Sequence, residues 1–118
     1  MFVKKKHYEN AIQKVKIYLG KELGLESEEE AYIILREPTE REALKLRSAD
    51  DDAERVDAFE HLFESAIVDH DFWEDETVKM DDKEVISLLF EKIDTANKII
   101  QEYSKAVFRF RTKEDAER

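Results

Sequence analysis

The sequence predicts a mainly α fold of the α+β type, with three or more helices, a long C-terminal helix and a small N-terminal β-hairpin. Three observations carry that expectation. The 118 residues include only two Gly and one Pro, so few tight turns can form, and long helices are favoured over a many-stranded sheet. Val15, Ile17 and Leu19 alternate with Lys14 and Lys16, the period of a half-buried strand. From Ile86 onward, Leu89, Ile93, Ala96, Ile100, Tyr103, Val107 and Phe110 follow in steps of three and four, a sustained helical seam.

The elements follow in chain order. Residues 1–12 lack a clear period and read as a flexible arm or a short helix. Residues 13–36 form the expected hairpin, with strands at 14–19 and 31–36. The second strand has a competitor: Ser27 with Glu30 is a capping box that opens a helix, whereas Tyr32-Ile33-Ile34-Leu35 suits a strand. The strand is favoured, but the pattern leaves 27–36 open. Pro38 ends the strand, and Thr39 with Glu42 caps a short helix at 40–47. The Asp50-Asp51-Asp52 run suits the start of the next helix, at 53–68, with Val56, Phe59, Phe63, Ala66 and Ile67 on one stripe. Residues 69–76 show neither period and read as a loop. Asp81 with Glu84 is a third capping box, opening one continuous helix over 82–110. The chain reads as a single domain over 1–118, with the helical part at 39–110 and a frayed tail at 111–118.

Composition excludes several function classes. Without cysteine there are no disulfides, thiolate metal sites or Cys nucleophiles. No run of about 18 apolar residues exists to span a membrane, and Met1-Phe2-Val3-Lys4-Lys5-Lys6 lacks the apolar stretch of a signal peptide, so a cytoplasmic protein is expected. Net charge is −10, with residues 1–25 basic and the remainder strongly acidic. Such a surface repels phosphate backbones, so nucleic-acid binding is not expected, and it attracts basic proteins. Asp69-His70-Asp71 is the nearest approach to a metal cluster, but adjacent residues do not readily converge on one ion, so no metal or other cofactor is expected. Gly-rich phosphate loops and nucleophile elbows are missing, and the chain does not read as an enzyme.

A helix over 82–110 would run about 40 Å at 1.5 Å per residue, longer than a domain of this size readily covers. Either the first 70 residues wrap it whole, or it overhangs and presents Ile93, Ile100, Tyr103, Val107 and Phe110 to a protein partner or to a second copy of the chain.

Two segments carry a family likeness. Tyr32 to Leu35 leads into Arg36-Glu37-Pro38-Thr39, with Glu42 and Leu46 beyond. Phe59 to Phe63 leads to Ile67-Val68-Asp69-His70-Asp71-Phe72. Over about residues 30–75 this order resembles tail assembly chaperones of long-tailed bacteriophages and prophages. The resemblance implies a small acidic helical protein of the host cytoplasm that shields a tape measure protein and recruits tail-tube subunits. It also implies that Arg36, Glu37, Pro38 and Thr39 fix a strand-to-helix corner, and that Asp69, His70, Asp71 and Phe72 fix the segment after the second helix. The competing reading from the seam alone is an oligomeric adaptor zipped through the last helix.

Overall fold

A computed structural model describes residues 12–27 and 31–116, with side chains as far as Val107. The expected arm at 1–11 lies outside the described residues, as do Phe108 and Phe110 as side chains. Within them the chain is α+β, with four helices and a three-stranded antiparallel sheet.

Period-two burial builds the hairpin. Strand β1 (Lys14–Tyr18) buries Val15 and Ile17, and β2 (Tyr32–Arg36) buries Ile33 and Leu35. Antiparallel pairing sets Val15 opposite Leu35 and Ile17 opposite Ile33, so all four apolar side chains share one face. The connecting turn uses Gly24 at a positive φ of 76°, where glycine pays no Cβ penalty. Of the two readings of 27–36, pairing with β1 selects the strand for 32–36. The Ser27–Glu30 box cannot be followed, because Glu30 lies outside the described residues.

Residues 67–70 correct the sequence reading. They form a third strand, β3 (Ile67–His70), rather than the end of a helix followed by a loop. β3 pairs antiparallel with the free side of β2, giving the order β1-β2-β3. Leu35 faces Ile67 while Ile34 faces Asp69, so Val68 is an extra residue in a β-bulge. The bulge breaks the alternation that would have revealed the strand: burial runs buried, exposed, intermediate, buried.

The helices form around this sheet. α1 (Glu40–Arg47) has its capping box intact, with the Glu42 N–H donating to Thr39 Oγ1 and the Thr39 N–H donating to Glu42 Oε1. α2 (Asp52–Ala66) is capped by Asp51, whose side chain accepts from the Glu54 N–H at 2.8 Å. It ends before the expected residue 68, because Ile67 is already extended and enters β3 directly.

The single helix expected over 82–110 is two helices, α3 (Asp82–Leu89) and α4 (Ile93–Ala116), separated at Phe90-Glu91-Lys92. The α4 backbone continues past the expected end at 110. Asp81 sits at the N-cap of α3 but makes no side-chain capping bond, so the third box is not formed. The break re-aims the chain. Ahead of it Val85, Ile86 and Leu89 enter the core; beyond it Ala96, Ile99, Tyr103 and Val107 do so. The buried stripe on α4 therefore contains Ile99 and leaves out Ile93, which changes the phase of the predicted seam.

Among the described residues one apolar cluster joins the inner sheet face to α2, α3 and α4. Phe63 stands at its centre, ring to ring with Tyr103 at 4.9 Å and 74°, and with Phe90 at 5.8 Å and 69°. Such edge-to-face pairs add about 0.5–1.5 kcal/mol beyond area burial.

Candidate partner-binding groove

The only five residues the sequence assigns to a partner surface do not stay together. Tyr103 is 0% exposed and Val107 is buried, so these two belong to the core and offer nothing to a partner in this fold. Burial pushes the Tyr103 phenol above its ordinary pKa, and its hydroxyl donates to the Arg36 carbonyl at 2.9 Å. Ile93 is 58% exposed and Ile100 is half-buried; both flank the core stripe on the side facing α2. The side chain of Phe110 lies outside the described set.

Ile93 and Ile100 line an open groove of about 840 Å³ between the first turns of α2 and the first half of α4. Val56 and Ala53 form its opposite wall. The two helices meet through Phe63 and Tyr103, deep in the core. Among the described residues this groove stays open beside the N-terminal half of α2. A second hollow of about 430 Å³ continues from it, bounded by Leu46, Ala49 and Phe59, with Asp52, Arg55 and Ser104 shared by both.

The rim of this joined surface is charged. Asp50, Asp51, Asp52 and Asp57 stand on it against Arg47 and Arg55. Asp52 and Asp57 make no ion pair among the described residues. Val56 was placed by the sequence on a buried stripe, and its position on the groove was missed. A single stripe of steps three and four cannot say where along the helix its covering neighbour stops.

The Arg36-Glu37-Pro38-Thr39 segment forms the corner between β2 and α1. Arg36 reaches Glu42 with both guanidinium nitrogens, at 2.8 and 3.2 Å, and also donates to the Glu37 carbonyl. Glu37 receives the Gln13 N–H on its side chain and donates its own N–H to the Gln13 carbonyl. Pro38 is buried, and Thr39 caps the helix. Partial burial pushes the Glu42 carboxyl up, but hydrogen bonds from Arg36 and the Thr39 N–H outweigh it and hold the pKa below its ordinary value.

The second segment leads from the sheet to α3. The Asp71 N–H donates to the Tyr32 carbonyl, and its carboxylate accepts from the Trp73 indole at 2.9 Å. His70 is buried: its Nδ1 accepts from the Phe72 N–H at 3.1 Å, and its Nε2 faces Asp82 at 3.3 Å. Phe72 is buried beside it. Lys79 pairs with Asp69 at 2.9 Å and, with the His70 N–H, holds that carboxyl below its ordinary pKa. Among the described residues no group of three or more His, Asp or Glu is placed to hold a metal ion. No helix among them is long and apolar enough to cross a membrane.

Family models, curated proteins and solved structures gave no match to this chain.

Proposed function

We propose that the protein acts by binding another protein rather than by catalysis, as a tail assembly chaperone of a long-tailed phage or prophage. In that role it works in the host cytoplasm, without a cofactor. It shields apolar stretches of a tape measure protein until tail-tube subunits replace it. The observation that carries the binding role is the open groove walled by Val56, Ile93 and Ile100, apolar surface that the described residues leave uncovered. The more specific assignment is supported by the two segments that resemble the family, Arg36 to Thr39 and Asp69 to Phe72.

Co-expression with a tape measure protein from the same source is the test. That protein is expected to stay soluble and to co-purify with this chain. A tape measure protein that aggregates equally with and without it removes the chaperone reading.

Exposure of Ile93 favours a second reading, an oligomeric adaptor joined through α4. Sedimentation over a range of concentrations separates the two. The adaptor requires a fixed oligomer that Ile93→Asn converts to monomer.

A further inference from the structure

The chemistry of the groove narrows the kind of partner it fits. Its floor is aliphatic, from Val56, Ile93 and Ile100. Its rim carries Asp52 and Asp57 against Arg55, with Asp50, Asp51 and Arg47 on the adjoining hollow, within a chain of net charge −10. Asp52 and Asp57 make no ion pair among the described residues, which leaves both side chains open to a ligand. Two copies of this chain meeting groove to groove would bring like-charged rims together. An acidic or phosphate-bearing ligand meets the same repulsion. An open groove with an aliphatic floor between two helices matches the geometry by which amphipathic helices seat in grooves.

We infer that the α2–α4 groove receives one amphipathic helix of a partner protein, with an aliphatic stripe on Val56, Ile93 and Ile100 and flanking Lys or Arg beside Asp52 and Asp57. The inference rests on the protein-binding reading above and adds to it the charge, shape and seat of the bound segment. Apolar contact supplies the affinity. The acidic rim selects basic over acidic helices and speeds encounter at low salt. Arg55 on the same wall sets the limit: a helix with a basic residue at every flanking position meets one like charge.

The test uses the full chain and three fluorescein-labelled peptides, each of about 18 residues, or roughly 27 Å as a helix. The first has a leucine stripe with lysine flanks, the second the same stripe with glutamate flanks, and the third lysine flanks with an alanine stripe. Fluorescence anisotropy is expected to show the first binding about tenfold or more tighter than either other, with affinity falling as salt rises. The double variant Ile93→Asn, Ile100→Asn removes apolar surface without changing charge, and it should lose that advantage. Asp52→Asn with Asp57→Asn should shrink the lysine-over-glutamate preference and leave the leucine-over-alanine preference. Near-UV circular dichroism verifies the fold. If Ile100→Asn disturbs it, Ile93→Asn alone is read, since that side chain is already exposed.

Equal binding of the leucine and alanine peptides would mean charge attraction alone and overturn the inference. So would leucine-stripe binding indifferent to the Asn substitutions. Binding that emerges only after deletion of residues 1–11 would assign the groove to the chain's own segment. A doubling of mass that the Asn variants abolish would assign it to a second copy. The two levels of argument separate cleanly. A tape measure protein that still co-purifies with the double Asn variant sinks the groove assignment and spares the chaperone reading. Intact peptide selectivity beside a tape measure protein left insoluble does the reverse.

Discussion

Tyr103 shows how one side chain can belong to two classes at once. Its ring fills the core against Phe63, and its hydroxyl crosses to the Arg36 carbonyl, tying α4 to the end of β2. Tyr103→Phe keeps the ring and deletes the bond. The expected loss is about 1 kcal/mol, read from urea denaturation midpoints. Glu42 carries a pH-dependent share of stability. Its folded pKa lies below the unfolded value, so its contribution is complete above that value, about 4.3, and is lost as pH falls through the folded one. Between pH 6 and pH 3 the native chain should lose stability faster than Glu42→Gln, which cannot titrate there. Parallel curves for the two proteins would remove the Arg36–Glu42 pairing as a source of stability. Asp69 and Asp75 are lowered as well, so the difference between the two curves, not the native slope, isolates Glu42.

Elements are held at their ends as much as along their lengths. Ser27–Glu30, Thr39–Glu42, Asp51–Glu54 and Asp81–Glu84 share one spacing, yet only Thr39–Glu42 closes as a reciprocal box among the described residues. Thr39→Ala should therefore cost about 1 kcal/mol and Asp81→Ala only a few tenths, in the same denaturation assay. Equal costs would show that the Asp81 side chain caps α3 in solution. The break between α3 and α4 is an element-scale effect of the same kind. Neither Gly nor Pro marks it, and the apolar period runs straight across it. The two shorter helices bring both Leu89 and Ile99 into the sheet-bound core.

Over the whole molecule charge is the unbalanced quantity. Thirty acids face twenty bases, and the ion pairs among the described residues run from the exposed Lys79–Asp69 to the partly buried Arg36–Glu42 and Lys98–Glu22. Exposed pairs contribute little, while net repulsion opposes the compact state. Raising ionic strength from low to about 0.5 M NaCl should thus raise Tm by a few degrees in calorimetry, because screening relieves more repulsion than attraction. A fall in Tm would show that local ion pairs, not net charge, dominate. The same acidity gives the groove its preference for a basic helix, so stability and recognition should respond to salt in opposite directions.

Local pattern was enough to reveal the α+β class, the β1–β2 hairpin, the bounds of α1 and the caps at Thr39 and in the Asp50–Asp52 run. Each depends on spacings within a few residues, where backbone geometry sets which side chains meet. It was not enough for β3, whose bulge at Val68 hides the period, nor for the split near Phe90. Nor could it divide Ile93 and Ile100 from Tyr103 and Val107. All four are apolar and correctly spaced for a helix face, and which of them a helix hides depends on where its neighbours lie. Those neighbours come from distant parts of the chain, and among the described residues their packing leaves an open groove beside the N-terminal half of α2. Long-range packing therefore decided which apolar surface remained open, while local spacing had already decided how much there was to cover.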